Sequence, residues 1–139
     1  LTLSRPITIQ KASNEPEIEA AFETFAQQQV NALLVGSDPY FFGERGKIVT
    51  LAARYNLPAM YEWREFAQAG GLASYGTNLL DNYRMAGVYV GRILKGEKPA
   101  NLPVVQATKF EFVINLKTAK ALRLDVAPTL SARADDVIE

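Results

Sequence analysis

Three short stretches hold the residue types that could do chemistry: Gly36-Ser37-Asp38-Pro39-Tyr40-Phe41-Phe42-Gly43, Glu62-Trp63-Arg64-Glu65-Phe66 and Ser74-Tyr75-Gly76-Thr77-Asn78. An arginine grips a carboxylate through two parallel hydrogen bonds, an acidic side chain receives an ammonium, and Tyr or Trp rings enclose an apolar or aromatic body. Together these groups suit an amino acid or a similar small zwitterion. Each stretch also has a plainer reading. Ser37-Asp38-Pro39 is an ordinary helix-start signature. Tyr40, Phe41 and Phe42 could serve as a roof on the core, although three neighbouring aromatics cannot all point one way. Glu62 and Arg64 could form a solvated pair of little energetic weight, and Gly70-Gly71 could simply terminate a helix.

What is missing narrows the chemistry. The 139 residues contain no histidine and no cysteine, which removes the commonest general base, the commonest metal ligand and any thiolate. There is no G-x-S-x-G elbow and no phosphate-cradling glycine loop of recognised spacing, so binding fits better than catalysis and no cofactor or metal is expected. Fifteen basic and fifteen acidic residues cancel without a basic cluster, so the electrostatic footprint of a nucleic-acid binder is absent. No apolar run approaches the roughly 20 residues that span a bilayer, and Leu1 to Arg5 has no signal-peptide architecture. If the protein is exported, its leader lies outside this chain.

The elements that must position these stretches alternate along the chain. Ile7-Thr8-Ile9 reads as a short strand. Asn14 caps a helix, with Glu17 reaching back, whose apolar positions Ile18, Ala21, Phe22, Phe25 and Ala26 make one stripe. Ala32 to Gly36 is a continuous apolar run typical of a strand covered on both faces. A second helix buries Ile48, Leu51, Ala52 and Tyr55 and closes at a left-handed Asn56. Ala59-Met60-Tyr61 is a strand, Arg64 to Ala69 one or two helical turns, and Leu72 to Tyr75 another strand. Alternation with short connections argues for right-handed crossovers and a mainly parallel sheet between helical layers, a three-layer α/β sandwich. In such sheets ligands collect beyond the carboxyl ends of the strands, and all three stretches sit there. A long helix from Leu79 to Lys95 follows, with Gly87 and Gly91 one turn apart for close packing. Lys109 to Ile114 reads as a half-exposed strand with Phe110, Phe112 and Ile114 on one face. Asn115 caps a short helix through Leu122, and Pro128 to Glu139 is too weakly patterned to assign.

The blocks ALLVGSDPYFFGERGKIVTLAARYNLPAMYEWREFAQAGGLASYG, AGVYVGRILKGEKPANLPVVQATKFEFVINLKTAKALRL and RADDVIE resemble the C-terminal part of bacterial ABC-transporter substrate-binding proteins of the tryptophan/tyrosine-uptake-like class. The similarity covers nearly the whole chain. It implies one lobe of a type I periplasmic-binding fold plus crossing segments, with a solute held between two lobes and delivered to an ABC permease in the membrane, and it implies a periplasmic location. The ligand-facing edge of that family matches Ser37, Asp38 and Tyr40, then Glu62, Trp63 and Arg64, then Ser74 with Tyr75. The same resemblance divides the chain into a partial ligand-binding lobe (1–78), a helix and strand crossing to or packing with a missing lobe (79–115), and a C-terminal helix and tail (116–139). By the same resemblance the opening strand and helix of the lobe are expected to be missing and the helix from Leu79 to be without its usual partner, so the fragment is expected to self-associate. Arg123 stands where a glycine is expected.

These observations favour capture of a solute without covalent chemistry, and the resemblance suggests an aromatic amino acid or a related compound as that solute. The alternative is a ligand-sensing or interaction module of the same fold. A third is a small enzyme using Asp38 or Glu62 as a base. If Arg64 grips a carboxylate, replacing it with alanine should abolish binding.

Overall fold

The computed structural model describes residues 6–139. Its first helix, α1 (Glu15–Gln27), starts where a capping side chain allows it: Asn14 Oδ1 accepts from the Glu17 backbone N–H at 2.9 Å. The Glu17 carboxylate turns back to the Ser13 N–H at 2.7 Å, one residue earlier than the usual reciprocal cap. That hydrogen bond, with a second from Asn14, holds the Glu17 pKa below its ordinary value. Ile18, Phe22 and Phe25 of α1 are buried, whereas Ala26 is exposed. Each such large side chain contributes about 1.5–3 kcal/mol by leaving water.

The remaining elements are β1 (Leu33–Leu34), α2 (Pro39–Gly43), α3 (Arg45–Arg54), β2 (Ala59–Tyr61), α4 (Arg64–Gln68), β3 (Ala73–Thr77), α5 (Leu79–Leu94), a 3-10 turn at Pro99–Asn101, β4 (Phe110–Asn115), α6 (Leu116–Ala121), α7 (Pro128–Ser131) and β5 (Asp136–Ile138). Asn56 closes α3 in the left-handed region (φ 49°), and Asn115 caps α6 through the Thr118 N–H. The five strands form one sheet in the order β1-β2-β3-β4-β5, parallel except for the antiparallel β3–β4 pair. The expected α/β class and mainly parallel sheet are therefore observed. β5 is a strand that the weak pattern of the tail did not reveal.

One face of the sheet holds the core. Ala59 and Tyr61 on this face pack with Ile18, Phe22 and Phe25 of α1, Ile48, Val49, Leu51 and Ala52 of α3, and Phe66 of α4. Tyr61 stacks on Phe66 at 4.7 Å. Gly71 lets this pair sit so close to the chain: a Cβ there would stand 2.6 Å from the Tyr61 ring. Gly70, at φ 107°, is the left-handed helix terminator.

Three expectations fail, each for a physical reason. Ile7-Thr8-Ile9 forms no strand, because no strand among the described residues pairs with it; both isoleucines are exposed. β1 is not covered on both faces, and Leu34 is 74% exposed. Leu33 and Val35 send their N–H groups to β2 (Pro58 O, 2.8 Å; Met60 O, 3.0 Å), so the backbone of Leu34 points to the open edge. Between that edge, Ile7–Ile9 and α1 lies an apolar groove of about 970 Å³. Finally, Gly87 and Gly91 of α5 make no close packing contact, since a Cβ at either would touch nothing within 4 Å. α5 buries no residue, and Leu80, Tyr83, Val90 and Leu94 are exposed.

Candidate functional site

Parallel pairing of β1, β2 and β3 sends their carboxyl ends to one edge of the sheet. Ser37 and Asp38 follow β1 there, Glu62, Trp63 and Arg64 follow β2, and Asn78 follows β3. Because β4 runs antiparallel to β3, Phe110 and Glu111 enter the sheet at the same edge, opposite Thr77 and Gly76.

In the first loop Asp38 is foremost a cap. Its Oδ1 accepts from the N–H groups of Tyr40 (2.7 Å) and Phe41 (3.4 Å) and starts α2, with Pro39 at its first position. The plain helix-start reading therefore holds for this residue. Ser37 is exposed, and the three aromatics fan out as their adjacency requires. Tyr40 and Phe41 lie 6.2 Å apart, while Phe42 meets the edge of Trp63 at 5.1 Å and Phe66 at 6.3 Å. Arg45 covers the Phe42 ring at 4.9 Å and donates to the Phe42 carbonyl. Desolvation, with a smaller push from the Glu44 charge, raises the Tyr40 pKa, so the phenol stays neutral at physiological pH.

The Phe42–Trp63 contact joins the first loop to the second. There Trp63 is the residue before α4, and Glu62 is pressed against β3. A Cβ on Gly76 would overlap the Glu62 carbonyl oxygen and stand 2.6 Å from the Glu62 Cγ. Gly76 is therefore a close-approach glycine. Arg64 does not extend freely from the edge. Its Nη1 lies 3.3 Å from Glu111 and its Nη2 2.5 Å from Asp136, with the three side chains 29%, 14% and 44% exposed.

The third stretch needs correction. β3 continues through Ser74 and Tyr75 to Thr77, so the two side chains leave opposite faces of the sheet. Ser74 shares the face of its register partners Tyr61 and Val113 and is fully buried, its Oγ without a hydrogen-bond partner among the described residues. It cannot face a ligand. Tyr75 projects from the other face, where it stacks on Phe110 at 5.8 Å and meets Phe112 edge-on. The structure thus gathers Ser37, Asp38, Tyr40, Glu62, Trp63 and Arg64 at one edge and does not bring Ser74 and Tyr75 into one cleft with them. Phe42 and Asn78 lie in the stretches that the sequence places at this edge, though without a role of their own, whereas Glu111 and Asp136 are missed as parts of it. Asn78 had a signal in its place before an apolar helix: its Oδ1 caps α5 through the Asp81 N–H. Glu111 and Asp136 had none, since their position depends on strand register.

Residues 6–138 match the family described as ABC transporter substrate binding protein. No curated protein matched the chain. Among solved structures, the chain is similar to an ABC domain in complex with L-Trp from Streptococcus pneumonia, with 26% identity and a TM-score of 0.80 over 88% of this chain and 41% of that one. A conserved domain protein from Vibrio cholerae superposes equally well (TM-score 0.80, 21% identity, 88% and 41% coverage). The ligand-free, open form of a substrate-binding protein with adhesive properties from Clostridium difficile follows at a TM-score of 0.60 and 17% identity, covering 92% of this chain and 42% of that one. The chain therefore spans about two-fifths of the length of these proteins. No helix among the described residues is long and apolar enough to cross a membrane.

Proposed function

We propose, from the premise that this chain belongs to the ABC transporter substrate binding protein family, that it forms part of the solute-binding component of an ABC importer. The family consists of binding proteins, not enzymes, and in this reading the chain performs no reaction. It contributes one wall of a cleft that takes a small organic solute, the rest of the complete protein supplies the other wall, and a membrane permease receives the cargo on the outer side of the membrane.

The observation that carries this reading is the convergence of Asp38, Tyr40, Glu62 and Trp63 at the carboxyl edge of parallel strands. The edge-on Phe42–Trp63 pair gives that edge an aromatic surface, and the L-Trp bound by the pneumococcal structure supports an aromatic amino acid as the class of cargo. Glu62 suits the ammonium of such a ligand and Trp63 with Tyr40 its ring. Self-association of the 139-residue chain through the uncovered face of α5 accompanies this reading.

Calorimetry and thermal melting of the complete protein with L-tryptophan test it. Binding at one site is expected, adding about 2.7 kcal/mol of stability at 100 times the dissociation constant, and Trp63→Ala should weaken it about tenfold, near the threshold for an important contact residue. Absence of binding to every amino acid and aromatic acid tried would overturn the proposal.

A further inference from the structure

Arg64 is one peptide bond from Trp63, yet its guanidinium is directed toward two carboxylates on two strands, β4 and β5. Glu111 of β4 and Asp136 of β5 take one fork nitrogen each. The second oxygen of Glu111, Oε1, accepts from Asn78 Nδ2 at 2.7 Å, and Asn78 uses its own Oδ1 to cap α5. A continuous set of polar contacts therefore runs from the Glu62–Trp63 loop through Arg64, Glu111 and Asn78 to the start of α5. Gly76 adds a second tie between the same elements, because it pairs with Glu111 in the sheet and packs against the Glu62 backbone.

We infer that Arg64 is a positioning residue, which fixes the Trp63 loop relative to β4, β5 and the start of α5, and does not itself grip a ligand carboxylate. Charge makes the case. One cation already faces two anions, so an arriving ligand carboxylate would be a third anion competing for the same fork. A planar guanidinium held at two of its nitrogens is also fixed in orientation, which transmits the position of the strands to the loop. For solute binding the inference rests on the reading proposed above, and it makes cleft geometry depend on Glu111, a residue that need not touch the solute.

Trp63 is the sole tryptophan of the chain, so fluorescence quenching by acrylamide reads the loop directly. The Glu111→Gln/Asp136→Asn double variant keeps side-chain shape and removes both charges. With far-UV circular dichroism unchanged, its quenching constant should rise, and Arg64→Lys, which keeps the charge and loses the fork, should raise it too. Lys47→Met breaks an ion pair with Glu15 and Glu19 on another part of the surface and should leave quenching unaltered. Unchanged quenching in the folded double variant, or an equal rise in Lys47→Met, overturns the inference. Should the double variant fail to fold, Glu111→Gln alone decides by the same criterion. In the complete protein, L-tryptophan titrated by calorimetry separates the two proposals. Failure of the unaltered protein to bind removes the solute-binding reading and leaves the Trp63 result standing. With binding present, Glu111→Gln should weaken it about tenfold, within the range of coupling between linked residues. Loss of binding in Arg64→Ala with none in Glu111→Gln would mean that Arg64 holds the ligand directly, which overturns the inference.

Discussion

Replacing Gly76 with alanine adds one methyl group where β3 meets the loop after β2. The new carbon would overlap the carbonyl oxygen of Glu62 and stand 2.6 Å from its Cγ and 3.0 Å from its carbonyl carbon. Two of these three atoms belong to backbone and cannot swing aside, so the Glu62–Trp63 segment must move away from β3. Overpacking of this kind costs about 1–3 kcal/mol, and the reduced freedom of the unfolded chain returns about 0.4–1 kcal/mol. The expected net loss is about 1–2 kcal/mol, or a fall in melting temperature of roughly 3–7 °C for a chain of this size. Urea unfolding followed by Trp63 fluorescence measures both the loss and the displaced loop. Gly46→Ala is the matched control. It adds the same methyl inside α3, where a Cβ meets nothing within 4 Å, and helix propensity predicts a gain of about 0.5–1 kcal/mol. If Gly76→Ala were as stable as the parent while Gly46→Ala behaved as expected, the close approach of Glu62 to β3 would be refuted, and with it the geometry of the edge.

Arg123 occupies a left-handed position at φ 56°, after which the Leu124 N–H bonds back to Ala119 O at 2.9 Å. Arg123→Gly should therefore gain about 0.5–1 kcal/mol, the left-handed penalty less the added freedom of the unfolded chain; a loss in urea unfolding would contradict this. The Tyr61 hydroxyl is buried without a hydrogen-bond partner among the described residues, and burial pushes its pKa up. Tyr61→Phe should hold or raise stability in thermal melts, and a loss greater than about 1 kcal/mol would mean that the hydroxyl is bonded after all. Glu17 is held below the ordinary carboxylate value of 4.5 by hydrogen bonds from Ser13 and Asn14, and Glu19 by its bond to Lys47. A depressed folded-state pKa stabilises above the unfolded value, and that contribution disappears as pH falls through 4.5 and below. The melting temperature should therefore decline between pH 6 and pH 3.5, and a flat or rising profile would count against these contacts.

Signals that act within a few residues were legible. Asn14, Asp38 and Asn115 all cap helices, Asn56 takes the left-handed turn, and the β2 strand Ala59–Tyr61 lies where the apolar run and Pro58 place it. Each depends on a side chain and its own neighbouring backbone. What failed depends on partners. Ile7–Ile9 has strand composition, but a strand needs another beside it to accept its hydrogen bonds. Leu33–Leu34 has the apolar run of a doubly covered strand, yet coverage is a property of the layers around it and not of the run. The GxxxG-like spacing of α5 is likewise only a capacity for close packing, which no described element uses.

The site was legible as an edge and not as a set of faces. The sequence reads Leu72 to Tyr75 as a strand yet also counts Ser74, Tyr75 and Gly76 in the stretch at its exit, where neighbouring side chains could turn toward one ligand. β3 instead extends to Thr77. Strand alternation runs through the whole stretch: Ser74 goes to the core with Tyr61, Tyr75 goes to the opposite face with Phe110, and Gly76 returns to the first face against Glu62. Alternation along β3 thus makes one candidate ligand contact a core residue, and the strand's extension makes Gly76 a packing contact with Glu62. The partners of Arg64 were illegible for the related reason that they come from strands 47 and 72 residues further along the chain. Local sequence says that a guanidinium is available; only the register of β3, β4 and β5 says that two carboxylates have already taken it.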